Sequence, residues 1–408
     1  MKYLVMLGDG MADYPVPELG NRTPLEAAEK PNMDELARHG IVGMVKTVPE
    51  GMPPGSDTAN LSVMGYDPKI YYSGRSPLEA VSIGIPLEAD DVTFRCNLVT
   101  LSDEDSFEDA TMLDYSSDEI STAESTELIQ FLNREFESET LKLYPGISYR
   151  HCLVLHHAQT GSICTPPHDI SLKPIREHLP SGRYGNLLLD LMKRSRELLK
   201  NHPVNLARIA RGKRPAASCW FWGEGTKPAL TPFAEKYGVK GGVISAVDLI
   251  KGIAICAGLK SVDVEGATGN VDTNFAGKAD AALKLLHGGC DFVYIHVEAP
   301  DECGHRHEIE NKVKSIELID RDILGRILPA LRESGEPFSI LLMPDHPTPL
   351  AIRTHTAEPV PFVLYRSNRE GGSPTDRYTE RLAAATGIYV PEGHLMMQKL
   401  LHDIDSEA

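Results

Sequence analysis

The sequence has no basic excess. Its 408 residues carry 41 Lys and Arg against 58 Asp and Glu, a formal net charge of −17, whereas a nucleic-acid binder needs a basic face to displace counterions from phosphates. It also has no apolar run near the roughly 18 residues that span a bilayer. The short N-terminal stretch Tyr3 to Leu7 is cut off by Gly8-Asp9-Gly10, so it does not read as a signal peptide. The expectation is a cytoplasmic protein with neither nucleic acid nor membrane as partner. Cysteine is sparse and scattered: Cys96, Cys152, Cys164, Cys219, Cys256, Cys290 and Cys303 contain no CxxC pair. Their odd number and irregular spacing point to reduced thiols and exclude an obvious disulfide framework or zinc knuckle. No internal repeat or low-complexity linker is present. Gly8-Asp9-Gly10 lacks the spacing of a dinucleotide fingerprint, and Gly212-Lys213 is not preceded by the glycine of a phosphate loop.

What is present is the composition of a folded protein, 41% apolar and 24% charged, with length for two or three domains. The charge is uneven. Residues 101–140 hold 13 acids and a single base, Arg134, whereas residues 141–240 hold 16 bases and 6 acids. The acidic stretch reads as a solvated face, and the basic stretch leaves room for a small anionic substrate.

Short apolar runs followed at once by ionisable residues recur along the chain. Tyr3 to Leu7 leads into Asp9, Asp291 to Val297 leads into Glu298–His307, and Phe338 to Met343 leads into Asp345-His346. Helical spacing separates them: Pro24 to about His39, with Thr23 as N-cap, and Glu308 to about Arg332, with Val313, Ile316, Ile319, Ile323 and Leu324 on one face. Further helices are expected near Ser245–Cys256 and Asn274–His287, and strands near Ser218–Trp222 and Pro361–Tyr365. Strand, loaded loop, helix, strand is the pattern of a parallel α/β sheet with a site along its carboxyl edge. The middle differs, with an expected helix over Asp118–Asn133 and strand-like runs over Leu141–Ile147 and Arg150–His156. The charge reversal places a smaller inserted α+β domain at 104–184, with 1–103 and 185–408 forming the α/β domain.

Asp9, Asp301 and His305, Asp345 and His346, and His355 are metal-competent groups, and three of these four clusters directly follow apolar strands. Carboxylates with imidazoles suit Mn²⁺ or Zn²⁺, and three Asp with three His suffice for two ions about 3.5 to 4 Å apart. Cys303, inside the same loop as Asp301, is either a third ligand or a small filler. Pro53-Pro-Gly-Ser-Asp-Thr-Ala-Asn60 supplies a nucleophile candidate, Ser56, where a helix would begin and free N–H donors favour an incoming phosphate. The alternative, that Ser56 or Asp57 caps this helix, stays open at this level.

Taken together, Gly8-Asp-Gly10, Pro54-Gly-Ser-Asp57, Ala299-Pro-Asp-Glu302 with His305, Pro344-Asp-His346 and His355 resemble the archaeal-type cofactor-independent phosphoglycerate mutases, a branch of the alkaline phosphatase superfamily. Asn60-Leu-Ser-Val-Met-Gly-Tyr-Asp-Pro68, Tyr149-Arg-His151, His202-Pro-Val-Asn205, Trp222-Gly-Glu-Gly225 and Val247-Asp-Leu-Ile-Lys-Gly252 extend the resemblance from residue 3 to about 400. The fold it implies is an alkaline-phosphatase-like α/β sheet with helices on both faces and an inserted substrate domain.

The activity implied is metal-dependent interconversion of 3-phosphoglycerate and 2-phosphoglycerate, in glycolysis and gluconeogenesis, without 2,3-bisphosphoglycerate and through a phosphoserine at Ser56. By the same resemblance, Asp9, Ser56, Asp345 and His346 would hold one divalent ion and Asp301, His305 and His355 the other, as Mn²⁺ or Zn²⁺ with Mg²⁺ and Co²⁺ as alternatives. Arg150 and His151 would bind substrate, with His168 and Asp169 as acid and base. Arg208 and Arg211, after the insert, are candidates to clamp the phosphate. The same framework also serves a phosphotransferase such as a homoserine kinase, or a metal-dependent phosphatase. Metal ligands alone do not separate these readings.

Overall fold

The computed structural model describes residues 1–369 and 375–402. The chain forms two compact units, one from Met1–Tyr72 with Leu230–Ala408 and one from Ser73–Ala229. No helix among the described residues is long and apolar enough to cross a membrane.

The first unit is built on an eight-stranded sheet: β1 (Lys2–Gly8), β2 (Ile41–Val45), β3 (Gly241–Ile244), β4 (Lys260–Val262), β5 (Phe292–Val297), β6 (Phe338–Met343), β7 (Val360–Arg366) and β8 (Tyr389–Val390). Their order across the sheet is β4-β3-β5-β1-β6-β7-β2-β8. β3, β4, β5, β1 and β6 run parallel, and β7 reverses against both β6 and β2. The near-continuous apolar sequences of β1, β5 and β6 reflect burial on both faces. On one face Leu4, Met6, Val293, Ile295, Ile340 and Leu342 pack with apolar residues of Pro31–His39, Phe275–His287 and Gly325–Ser334. On the other, the Tyr294 hydroxyl donates to Asn60 of the helix Ser56–Val63 at 2.6 Å. Because β5, β1 and β6 are parallel, their carboxyl ends share one edge. That edge receives Asp9, Asp301 and Asp345.

Two helical expectations need correction. The run from Pro24 is two helices, Pro24–Ala27 and Pro31–His39. The Thr23 capping box with Glu26 is present as expected, but the residue before a proline avoids the helical region, and Lys30 takes φ −140° before Pro31. The expected helix over Glu308–Arg332 is Ile309–Leu318, a π-helical segment Ile319–Leu324, and Gly325–Ser334. Within the π segment, Asp320 accepts from Met33 N (2.7 Å) and Asn32 N (3.3 Å), satisfying donors at the start of Pro31–His39.

The second unit is α+β. Its central strand Val92–Leu101 pairs antiparallel with Arg150–Leu155 on one side and Ser218–Thr226 on the other. The helices Thr122–Phe136 and Gly185–Leu199 supply Leu128, Ile129, Leu132, Leu188, Leu191 and Met192 to its core. The unit extends beyond the expected 104–184 on both sides. Strands 92–101 and 218–226 belong to it by mutual pairing, a long-range relation that local charge does not reveal.

The charge asymmetry is internal to this unit. Asp103, Glu108, Asp109, Asp114, Asp118 and Glu124 of the acidic stretch pair with Arg196 and Lys200, Lys193, Arg176, Arg214, Lys213, and Arg208 and Arg211 of the basic stretch, respectively. Most of these pairs are exposed and individually weak, about 0–1 kcal/mol each. Their arrangement neutralises the two stretches against each other, so the acidic stretch is not simply a solvated face.

Candidate metal centre and nucleophile

Asp9 directly follows β1, and its N–H donates to Val297 O at the end of β5. Gly10 follows with φ +59°, and a Cβ there would lie 2.5 Å from Thr348 Oγ1 and 2.7 Å from Asp301 Oδ1. No other residue fits this turn. The Gly10 N–H donates to Asp345 Oδ1 (3.1 Å), joining the ends of β1 and β6. Asp301 and His305 stand one turn apart on the helix Ala299–Arg306 after β5. His305 Nδ1 donates to Arg353 O at 3.0 Å. In the neutral imidazole this leaves the Nε2 lone pair free to bind a metal, and it points to Asp301 Oδ2 (3.2 Å) and His355 Nε2 (2.9 Å).

Two overlapping donor sets result. Asp9, Asp345 and His346 bring donor atoms within 4.8 Å of one another, and so do Asp301, His346 and His355. His346 Nε2 lies 3.5 Å from Asp9 Oδ1 and 3.4 Å from Asp345 Oδ2. Asp9, Asp301 and Asp345 are all buried. Burial, then the charges of Asp345, Asp301 and Glu298, push the Asp9 carboxyl well above its ordinary range. Burial would also raise Asp301, but hydrogen bonds from His305 and His355 hold it well below. The Asp301 bond in turn raises His305 to about 9 against its own burial, while burial lowers His346. Asp9 Oδ1 is buried without a hydrogen-bond partner. An orphaned carboxylate oxygen among crowded carboxylates and imidazoles fits divalent cations, which would remove the repulsion.

Ser56 is the first residue of the helix Ser56–Val63, with Gly55 as its N-cap and no side chain capping it. Its Oγ lies 3.2 Å from His346 Nε2. Asp57 instead accepts from Thr58 N and from the Tyr72 hydroxyl (2.8 Å). The hydroxyl therefore faces the donor sets, and the capping alternative does not describe it.

The sequence did not single out the residues that support this centre. His296, within β5, has Nε2 2.9 Å from Asp9 Oδ2 and Nδ1 3.1 Å from Ser245 Oγ, and burial lowers it to about 3. A fixed neutral imidazole thus donates to Asp9. Asn60 Nδ2 donates to Asp345 Oδ2 and to Ser56 O, both at 2.8 Å. The buried Lys312–Asp13 pair (2.7 Å) holds the segment after His346: Lys312 donates to Thr348 O and Leu350 N donates to Asp13. The one available signal was an ionisable residue, His296, inside an otherwise apolar strand. Cys303 is buried with only a 3.9 Å contact to Glu308, as a filler residue would be. His307 Nδ1 donates to Leu350 O at 2.7 Å.

The second unit distributes its candidates unevenly. Arg150 is exposed, while His151, next along the strand, points to the opposite face, buried, with Nδ1 accepting from Gly146 N at 3.0 Å. Strand alternation separates the two, so they do not form one binding pair. His168 and Asp169 sit in the turn Pro167–Ile170, 3.7 Å apart, and the His168 ring packs edge-on against Trp222. Arg208 and Arg211, expected to clamp the phosphate, are both engaged by Glu124. Arg208 is buried and donates to Glu124, Ser117 O and Arg214 O, and Arg211 also donates to Glu124. These guanidiniums join helix Pro203–Ala210 to Thr122–Phe136.

The chain is similar to known proteins over nearly its full length. A family model described as 2,3-bisphosphoglycerate-independent phosphoglycerate mutase matches residues 37–205. A protein of that name from Methanosarcina barkeri is 50% identical over 94% of this chain and 95% of its own length. One from Methanothrix thermoacetophila is 49% identical over 98% of this chain and all of its own. Among solved structures, a Pyrococcus horikoshii protein matches with TM-score 0.82 and 30% identity, covering 100% of this chain and 98% of that one. A cofactor-independent phosphoglycerate mutase from Thermoplasma acidophilum matches with TM-score 0.67 and 25% identity, covering 98% and 99%.

Proposed function

The chain belongs to the 2,3-bisphosphoglycerate-independent phosphoglycerate mutases, which are isomerases, and from that premise we propose that it interconverts 3-phosphoglycerate and 2-phosphoglycerate through a phosphoserine at Ser56. The observation that carries this reading is the 3.2 Å approach of Ser56 Oγ to His346 Nε2, the imidazole common to both donor sets. Asp9, Asp345 and His346, with Ser56, would hold one divalent ion, and Asp301, His305 and His355 the other. Bound Mn²⁺ or Zn²⁺ would neutralise phosphoryl oxygens and lower the pKa of the serine hydroxyl.

In the forward direction Ser56 Oγ gives up its proton and bonds to phosphorus as the bond from phosphorus to the C3 oxygen breaks, and that oxygen takes a proton. The C2 hydroxyl of the retained glycerate then loses a proton and attacks the phosphoserine, and the phosphorus–Oγ bond breaks with Ser56 Oγ taking a proton back. His168 and Asp169 are the proposed proton carriers. Burial lowers His168 from its ordinary value, so at neutral pH it is free to accept a proton. His296 and Asn60 keep Asp9 and Asp345 oriented throughout.

Purified protein with 3-phosphoglycerate and Mn²⁺, without 2,3-bisphosphoglycerate, should yield 2-phosphoglycerate in an enolase-coupled assay. Chelation with EDTA or the Ser56→Ala substitution should abolish it. Absence of product from the wild type rejects the mutase reading, and activity persisting in Ser56→Ala rejects the phosphoserine route.

A further inference from the structure

The sheet edge that carries the candidate metal centre continues past it. β6 and β2 both run antiparallel to β7, and β8 runs parallel to β2, so β2 and β8 end on the same edge as β6. Beyond their ends, within the same unit, lies a cavity of about 310 Å³. Lys46, directly after β2, and Glu392, two residues past β8, line it together with Glu50, Lys69, His394, Ser62 and Tyr389. Strand ends of this kind are where open α/β sheets bind ligands.

The charges around this cavity are not spent on one another. Among the described residues, Lys46, Lys69 and His394 on one side and Glu50 and Glu392 on the other make no side-chain hydrogen bond or ion pair. Asp67, also in the wall, is used by the Lys69 N–H at 2.9 Å. Ser62 is 1% exposed, and its Oγ is buried without a hydrogen-bond partner. A Cβ at residue 393 would lie 2.6 Å from that oxygen, so Gly393 leaves the hydroxyl its place. Pro49, Pro391 and the exposed Tyr389 ring add apolar surface. Opposite charges held apart in one cavity, beside an orphaned hydroxyl and apolar surface, form the complement of a small zwitterion with an apolar tail.

We propose that this cavity is an effector site for a free α-amino acid with an apolar side chain, its carboxylate held by Lys46 and Lys69 and its ammonium by Glu50 and Glu392. Two walls connect the cavity to the candidate site. Ser62 belongs to the helix Ser56–Val63, which begins with the candidate nucleophile. Lys46 precedes Thr47, whose hydroxyl donates to Asp345 O. An occupant therefore bears both on the helix that carries Ser56 and on the segment that carries Asp345, and its binding is coupled to turnover. Only the turnover arm of the test rests on the mutase reading.

The test is calorimetric titration of Mn²⁺-loaded wild type, Lys46→Ala and Glu392→Gln. The ligands are L-leucine, L-phenylalanine, 4-methylpentanoate, which is leucine without the ammonium, and 3-methylbutylamine, which is leucine without the carboxylate. The expected result is saturable binding of an amino acid to wild type, weaker by about tenfold or more for each singly charged analogue and in each variant. In the enolase couple the bound amino acid should change kcat by about twofold or more in wild type and leave the variants unaffected. Failure of both amino acids to bind overturns the proposal, as does equal binding of the singly charged analogues or binding that survives both substitutions in proteins with native circular dichroism. Binding that leaves turnover unchanged overturns the effector role. Should Lys46→Ala misfold, the exposed Glu392 decides alone. Absence of any product in the enolase couple would reject the mutase reading and leave the calorimetric result to decide the site.

Discussion

His296 Nε2 lies 2.9 Å from Asp9 Oδ2, while Oδ1 of the same carboxylate is buried without a hydrogen-bond partner. One oxygen is committed to orientation, and the other is the one that the proposed cation would take. Replacing His296 with leucine should weaken Mn²⁺ binding by about 10- to 100-fold, the usual cost of losing a partner that orients a ligand. Titration of metal into the EDTA-stripped protein measures this, and an unchanged affinity would mean that Asp9 is held by the sheet alone.

Asn60 is a three-way bridge. Its amide donates to Asp345 Oδ2 and Ser56 O and accepts from the Tyr294 hydroxyl at 2.6 Å. Asn60→Leu would strand the hydroxyl and a carboxylate oxygen in the interior, at about 1–3 kcal/mol for each unsatisfied group. A lower urea midpoint with an unchanged slope is the expected signature. A midpoint equal to wild type would show that these groups find other partners.

The Asp13–Lys312 pair is fully buried, so removing one partner leaves a bare charge. Lys312→Met should cost about 3–5 kcal/mol, and the double variant Asp13→Asn/Lys312→Met should recover part of that loss. Urea denaturation of wild type, Asp13→Asn, Lys312→Met and the double variant gives the coupling directly. Simple additivity of the two single changes would argue against a pairwise interaction.

Glu380 sets a pH dependence of stability. Burial raises its carboxyl to about 7, against hydrogen bonds from Thr23 and the Asp13 N–H. Its ordinary value is 4.5, so between about pH 4.5 and 7 the folded chain binds more protons at this site than the unfolded chain. The contribution is fully present below 4.5 and is lost as pH rises through 7. Because the residue keeps some surface, about 1–2 kcal/mol is a reasonable size. Glu380→Gln should remove that part of the slope and gain stability at pH 8 relative to wild type. Parallel stability curves for the two proteins from pH 5 to 8 would refute it.

Much of the metal centre was legible because a polar residue directly after an apolar strand is a local pattern. Asp9, Asp345 and His346 announce themselves in this way, Asp301 stands four residues past β5, and the sheet brings all four to one edge. The break at Pro31 was written in the chain too, but apolar periodicity runs across it and hides it. The roles of Arg95, Arg208 and Arg211 could not be read, since an arginine's task depends on which distant carboxylate it meets. Arg208 meets Glu124 and is consumed, whereas Arg95 shares Glu79 with Arg75. The true extent of the second unit was hidden for the same reason, because strand Ser218–Thr226 closes against Val92–Leu101 across a long intervening stretch.

The division of the chain also orders events during synthesis. Ser73–Ala229 is continuous, so a ribosome releases everything that unit needs while much of its host, including strands β3 to β8, is still unmade. The candidate metal ligands run from Asp9 to His355 and can assemble only after residue 355 has emerged. A nascent chain halted before β6 would hold all of Ser73–Ala229 and still lack Asp345, His346 and His355. The candidate metal ligands are the last part of the proposed site to be completed as the chain is made.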